Sequence, residues 1–128
     1  MSISWQTLIA IGLGGFFGAI ARAYTVHMTN KYVPLEFPVG ILFVNILGSF
    51  IIGVLFAIFA HYSVNDSLKA FLTTGFLGAL TTYSTFAIES FFLLQTSLIL
   101  GLSNMFLNLF GTILAAASGF KLLQLFLK

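Results

Sequence analysis

Four long runs of apolar residues alternate with short polar connections along this chain. The runs cover about residues 5–24, 39–60, 68–94 and 98–120. A helix needs about 20 consecutive apolar residues to cross the hydrocarbon of a bilayer, and each run is roughly that long. The pattern predicts an all-α membrane protein, a single domain of four transmembrane helices packed as an antiparallel bundle with both termini on one side.

The connections carry signals that end one helix and begin the next. A polar stretch containing Pro34 follows the first run, and residues 61–67 form a turn before the third. Asn65 and Asp66 in that turn are typical helix N-caps. Only residues 95–97 separate the third run from the fourth, so we expect these two helices to be close neighbours.

Composition narrows the class of protein further. Of the 128 residues, 59% are hydrophobic and 6% are charged, more apolar surface than a soluble domain of this size can bury. The chain has no cysteine, which excludes disulfides, thiolate metal sites and cysteine catalysis. A net charge of +2 is too small to indicate a nucleic-acid partner. The first run lacks the flanks of a signal peptide, and we interpret it as a retained helix.

Segment 75–86, inside the third run, is the most informative part of the sequence. It combines two glycines with a run of hydroxyl residues. Irregular polar backbone at membrane depth is tolerated only where it packs in protein or lines an aqueous path. We therefore expect the third helix to be broken near its middle, around a small polar site.

The positive charges barely favour either direction of insertion. Lys69, Lys121 and Lys128 fall on one predicted side, and Arg22 and Lys31 on the other. Because lysine and arginine in short loops set orientation, this balance fits either a weakly biased fixed topology or a dual topology. We favour dual topology, in which copies insert both ways and pair antiparallel. Four short helices enclose little space, so we expect a transport path to need two subunits.

Three asparagines lie inside the apolar runs. Asn45 is in the second run, and Asn104 and Asn108 are in the fourth. The two in the fourth run belong to a stripe that follows one helix face: Ser97, Gly101, Asn104, Asn108, Gly111, Ala115 and Ser118. Such amides either tie helices together or present donors to a permeating species, and polarity alone leaves both roles open.

Other candidates for function are charged or aromatic. Arg22 either extends its charge to the membrane interface or faces an aqueous vestibule that attracts anions. Glu89 is the one carboxylate deep in a run, which makes it a functional candidate unless it is paired there. Tyr83 and Phe86 share a helix face, and taken alone such a pair favours packing. Hydroxyls, amides and the electropositive edges of rings suit a small hard anion or a neutral hydrogen-bonding solute.

Three segments resemble the Fluc/CrcB family of fluoride channels, and the likeness extends over nearly the whole chain. They are residues 15–22, 44–50 and 75–86. The third is similar to the family signature Gly-x-x-Gly-x-x-Thr-Thr-Phe-Ser-Thr-Phe, which is highly specific. The resemblance implies a passive fluoride channel of a prokaryotic plasma membrane, not an enzyme. It implies an antiparallel dual-topology homodimer with two pores.

The resemblance also implies roles for individual residues. A structural sodium ion at the dimer centre would be held by the carbonyls of Gly78 and Thr81. The implied fluoride pore comprises Asn45, Tyr83, Ser84, Thr85, Phe86 and Asn108. The implied vestibule or supporting residues are Arg22, Glu89 and Asn104.

This sequence departs from the family pattern at three positions. Tyr83 stands where the family has phenylalanine, Ile41 where many members have threonine, and Asn104 where many have tyrosine. These departures admit a second interpretation, one subunit of a heteromeric fluoride channel, although the even charge balance favours the homodimer. A further alternative is a small four-helix proton-coupled multidrug exporter. Those proteins carry their carboxylate in the first helix, where this chain has none.

Overall fold

The computed structural model describes residues 3–127, and the regular structure in that range is helical. Four helices are long and apolar enough to cross a membrane: Trp5–Tyr32, Val39–His61, Asp66–Thr96 and Leu98–Phe126. The predicted all-α class with four spans is confirmed, and the chain is a multi-pass membrane protein. Lys128, which was counted in the charge balance, lies outside the described residues.

Side-chain caps begin three of these helices. Ser4 accepts a hydrogen bond from the N–H of Thr7, and Ser97 accepts one from Leu100. Asn65 accepts from the N–H groups of two following residues, which confirms it as the cap predicted before the third span. Each cap satisfies main-chain donors that have no partner inside the helix.

The first helix continues well beyond its predicted span. It ends at Tyr32, whereas the apolar run that predicts it ends near residue 24. Residues 25–31 are more polar than the run, but they contain no proline, so nothing interrupts the helical hydrogen bonds before Pro34. The helix therefore extends past the apolar region, and the membrane span is only part of it.

The third span is the irregular one. An α-helical turn, Asp66–Ala70, leads into a π-helix, Phe71–Leu77, and then into a short turn, Gly78–Leu80. Thr81 and Thr82 follow with extended backbone, at φ −90°, ψ 157° and φ −149°, ψ 125°. The helix Tyr83–Thr96 completes the span. The extended pair lies midway along the span, within the hydroxyl-rich segment singled out in the sequence.

Small residues allow two close helix contacts. The first helix lies against the third span at Gly14 and Gly18, where a Cβ would collide with main-chain oxygens of Phe71 and Phe76. The second and fourth helices approach in the same way at Gly53 and Gly119. Close backbone approach of this kind is the usual way in which membrane helices associate.

The fourth-helix stripe is confirmed in its first half and wrong at its end. Gly101, Asn104 and Asn108 are buried against neighbouring helices, but Ser118 is exposed and Gly119 is buried in its place. A stripe with steps of three and four drifts by about 20° per seven residues on a straight helix. Over the three heptads from Ser97 to Ser118 the drift reaches about 60°, which brings Gly119 closer to the contact face than Ser118.

Candidate functional site

Asn45 holds the irregular middle of the third span through a two-way hydrogen bond. Its Nδ2 donates to the carbonyl of Thr82 at 3.1 Å, and the N–H of Thr82 donates to its Oδ1 at 2.8 Å. A side-chain amide has the same donor and acceptor spacing as a main-chain peptide, so it can replace the helical partner that this extended residue lacks. The second helix thus supports the bend of the third span.

A chain of buried polar side chains continues from Asn45. Its Nδ2 also donates to Oδ1 of Asn108 at 2.9 Å. Nδ2 of Asn108 donates to both oxygens of Asn104, and Nδ2 of Asn104 donates to Oγ of Ser90 at 2.9 Å. All four of these side chains are buried. We call this series, from Ser90 through Asn104 and Asn108 to Asn45, the amide relay.

Thr82 caps the second half of the third span. Its Oγ1 accepts a hydrogen bond from the N–H of Thr85 at 3.2 Å. In a regular helix that N–H would donate to the carbonyl of Thr81, and the N–H of Thr82 would donate to the carbonyl of Gly78. Both donors are engaged elsewhere, because Thr82 donates to Asn45. The carbonyls of Gly78 and Thr81 are therefore among the oxygens at the bend whose helical partners are diverted.

A cleft of about 230 Å³ opens beside the bend. Its lining combines amides, hydroxyls and aromatic rings: Asn45, Ser49, Thr81, Thr82, Tyr83, Phe86, Asn108, Leu109 and Thr112. The rings of Tyr83 and Phe86 meet edge to face, with centroids 5.4 Å apart and planes at 69°. Tyr83 is 81% exposed, so one wall of the cleft is a large aromatic side chain that its own chain covers only slightly.

The cleft brings together four of the six side chains that the resemblance places in a pore: Asn45, Tyr83, Phe86 and Asn108. Ser84 and Thr85 do not line it. The Thr85 hydroxyl accepts from Oγ1 of Thr82 at 3.2 Å, and the Ser84 hydroxyl lies 3.4 Å from the same atom.

The three predicted vestibule or supporting residues lie outside the cleft, in different surroundings. Nε of Arg22 donates to the carbonyl of Ala79, just before the bend. Asn104 belongs to the amide relay. Glu89 is partly buried on the helix that follows the bend, and its Oε1 is buried without a hydrogen-bond partner among residues 3–127.

Besides Thr82, three polar residues of this region had no predicted role. Ser49 and Thr112 line the cleft, and each lies four residues after an asparagine that also lines it. That i, i+4 spacing was the available signal, because it places both hydroxyls on the same helix faces as Asn45 and Asn108. Ser90 gave no signal of its own, since its role depends on a neighbour in another helix.

The hydrogen bonds decide which groups in the cleft have donors to offer. Both N–H groups of Asn45 are engaged, and the Thr112 hydroxyl donates to the Asn108 carbonyl. The hydroxyls of Ser49 and Tyr83 make no hydrogen bond within residues 3–127. A small anion in this cleft would therefore meet hydroxyl donors and ring edges first, and an Asn45 donor would become available only if a relay bond opened.

Possible cation ligands in the region are main-chain oxygens. Within the described range, no three His, Asp or Glu side chains gather in a way that could hold a metal ion. The carbonyls of Gly78 and Thr81 have lost their helical donors, as described above, and Gly78 and Thr81 also line a second cavity of about 170 Å³. Carbonyls freed at a helix interruption are typical hard-cation ligands in membrane proteins, so these residues fit such a group.

Comparison with known proteins gives consistent matches. Residues 9–120 match the profile of a family described as CrcB-like protein, Camphor Resistance (CrcB). A fluoride-specific ion channel FluC of Sulfurimonas denitrificans is 52% identical, covering 98% of this chain and 99% of the relative. The protein of the same name from Nautilia profundicola is 44% identical, covering 98% of this chain and all of the relative. One from Campylobacter jejuni is 46% identical over 116 residues.

Proposed function

The chain belongs to the CrcB-like family, and from that membership we propose that it forms a passive, fluoride-selective channel in the cell membrane. The relatives named above are fluoride-specific ion channels with which it shares nearly its full length. A channel makes and breaks no covalent bond, so the protein is not assigned an enzymatic reaction. A selective channel replaces the water around an ion with hydrogen-bond donors of the protein.

The observation that carries this proposal is the composition of the cleft at the bend. Amides, hydroxyls and the edges of two aromatic rings converge there, and the lining holds no carboxylate. Hydroxyl donors and positive ring edges attract an anion, and a small hard anion gains most from short contacts with them. Fluoride is the halide that fits this description best.

The direction of transport follows from the chemistry of the ion. Fluoride enters an acidified cell as the neutral acid and becomes trapped as the anion at the cytoplasmic pH. An inside-negative potential then favours its exit by about 2.3 kcal/mol per 100 mV. A passive pathway therefore suffices to lower internal fluoride, and export protects the cell from its toxicity.

The path is proposed to require a second copy of the chain. Tyr83 is largely exposed and the cleft is open on one side, so a single copy cannot enclose a dehydrated ion. An antiparallel homodimer would close each cleft with the surface of the partner and produce two pores. The even balance of positive charge along the chain supports insertion in both directions. A heterodimer with a related chain is the alternative.

A structural sodium ion at the centre of that dimer is proposed to be held by the carbonyls of Gly78 and Thr81. The diversion of their helical donors to Asn45 and to Oγ1 of Thr82 supports this assignment. A cation bound there would take the place of the missing N–H donors as the electrostatic partner of these carbonyl oxygens. Asn45 and Thr82, through their own hydrogen bonds, keep the usual helical donors away from those carbonyls.

Cells provide the test of this proposal. Expression of the chain in bacteria that lack their own fluoride exporter should lower internal fluoride and restore growth in fluoride at mildly acid pH. A Phe86→Ile variant expressed at the same level is the control, and it should not restore growth. Equal fluoride accumulation with and without the wild-type chain would contradict the proposal.

The multidrug-exporter alternative is separable by its dependence on protons. Such a protein needs a membrane-embedded carboxylate, and Glu89 is the one available here. If a proton gradient drove the export of a cationic drug, and if this export vanished in Glu89→Gln, that alternative would be preferred. We expect no such drug transport, and fluoride export that needs no proton gradient.

A further inference from the structure

The amide relay extends beyond the cleft, to two residues that do not line it. We propose that Ser90 and Asn104 are positioning residues, which act through Asn108 and Asn45 to fix the main chain of Thr82 at the bend. The consequence for transport rests on the proposed channel function. The relay itself is a property of the folded chain and is testable without transport.

Each bond of the relay orients the next one. Nδ2 of Asn104 donates to Ser90 Oγ at 2.9 Å, which leaves Oδ1 of Asn104 facing Nδ2 of Asn108 at 3.0 Å. Oδ1 of Asn108 then accepts from Nδ2 of Asn45 at 2.9 Å. Because an amide has its donors at one end and its acceptor at the other, the orientation of one amide determines that of its neighbour.

Burial makes these orientations depend on one another. Asn104 is 1% exposed, and Ser90 and Asn108 are each 5% exposed, so water has little access to replace a lost partner. A buried donor that loses its acceptor is penalised by more than the net gain from a typical hydrogen bond. When one acceptor is lost, the neighbouring amide therefore reorients to find another partner, and each further amide of the relay changes its orientation in turn.

The relay ends on the residue that shapes the bend. Asn45 keeps the N–H of Thr82 away from the Gly78 carbonyl, and Thr82 in turn caps the N–H of Thr85. Ser90 lies on the same helix as Thr85, about one and a half turns further on. The structure thus connects Ser90 to the start of its own helix by a route through the fourth and second helices.

Backbone resonance measurements test this connection directly. Threonine follows threonine at only two places in the chain, Thr73-Thr74 and Thr81-Thr82. In protein labelled with ¹³C-carbonyl, ¹⁵N-threonine, a carbonyl-to-amide correlation spectrum therefore contains two signals. The signal of Thr82 reports the bond to Asn45, and the signal of Thr74, in the π-helix, is an internal reference.

Ser90→Ala removes the acceptor at the far end of the relay. We expect the Thr82 signal to move by more than its linewidth while the Thr74 signal stays in place. Ser103→Ala is the matched control, because Ser103 adjoins Asn104, is half-buried and makes no side-chain hydrogen bond within residues 3–127. This control should move neither signal. Ser90→Cys keeps the volume with a weaker acceptor and should give a smaller displacement, which provides a second variant if alanine prevents folding.

Fluoride efflux from liposomes tests the consequence for transport. We expect Ser90→Ala to lower the rate about tenfold in protein that remains folded and assembled, as the loss of one orienting hydrogen bond would do. An unmoved Thr82 signal in folded Ser90→Ala or Ser90→Cys protein would overturn the relay. An unchanged efflux rate would overturn its role in transport. If the wild-type chain passed no fluoride, the proposed function would fail, and the resonance experiment would still decide whether the relay exists.

Discussion

Nε of Arg22 donates a hydrogen bond of 2.9 Å to the main-chain carbonyl of Ala79, a residue 57 positions away. This contact ties the first helix to the short turn just before the bend. The sequence left Arg22 with two roles, at the membrane interface or in a vestibule. The contact adds a third, because the guanidinium satisfies a carbonyl close to the two that are proposed as cation ligands.

Arg22→Leu should therefore destabilise the protein. The Ala79 carbonyl would lose its partner, at a cost of about 1–3 kcal/mol in free energy of unfolding. Arg22→Lys is the informative control, since it keeps the charge but lacks the planar Nε donor, and it should recover only part of the loss. Unfolding by denaturing detergent in micelles measures both. Full recovery in Arg22→Lys would show that charge alone matters.

Phe86→Ile should abolish fluoride flux and leave assembly intact. Isoleucine approaches the volume of the ring but has no electropositive edge to face an anion. Flux from liposomes and size-exclusion chromatography measure the two properties. Phe91→Ile is the matched control, because Phe91 is an exposed phenylalanine on the same helix that does not line the cleft. Flux retained in Phe86→Ile would remove Phe86 from the proposed path.

Tyr83→Phe should preserve conduction, because the ring edge remains and only the hydroxyl is lost. Tyr83→Ile removes the edge as well and should stop fluoride flux. Comparison of the two variants in the same liposome assay separates the contribution of the ring to fluoride flux from that of its hydroxyl. If Tyr83→Phe were inactive, the hydroxyl would be a required donor for conduction.

Lysines added to one side of the chain should fix its direction of insertion. Val33 and Leu35 are exposed in the connection between the first two helices, and Tyr62 and Ser63 are exposed in the next connection, on the opposite side. Lysine at either pair strengthens the bias of that side. Each locked protein alone should be silent, whereas the two expressed together should conduct. Conduction by one locked protein alone would contradict the antiparallel pair.

Much of the architecture was predictable from the sequence because apolar length and cap residues act locally. The four spans and the cap at Asn65 follow from neighbouring residues. The continuation of the first helix to Tyr32 was not predicted, since polarity marks the end of a membrane span and not the end of a helix. The π-helix Phe71–Leu77 has no local signal, and it lies where the first helix makes close backbone contact.

The sequence predicts which residues belong to the site, but it does not predict the hydrogen bonds between them. Asn45 and Asn108 were open to two roles, in helix contact and in ion binding, and the structure shows them bonded to each other across two helices. Which donors remain free depends on partners 37 and 63 positions away along the chain. Ser49 and Ser90 show why the sequence is not sufficient. The two side chains are identical, but Ser49 lines the cleft whereas Ser90 accepts a hydrogen bond from Asn104 on a neighbouring helix.

Halide efflux from liposomes that contain only this polypeptide tests the central claim most directly. Vesicles loaded with equal concentrations of fluoride and chloride are diluted into halide-free buffer. A potassium ionophore lets potassium leave together with the anions, so that no opposing membrane potential builds up. Rapid release of fluoride with chloride retained is the result that this account predicts. Release of both halides at similar rates, or of neither, would contradict it.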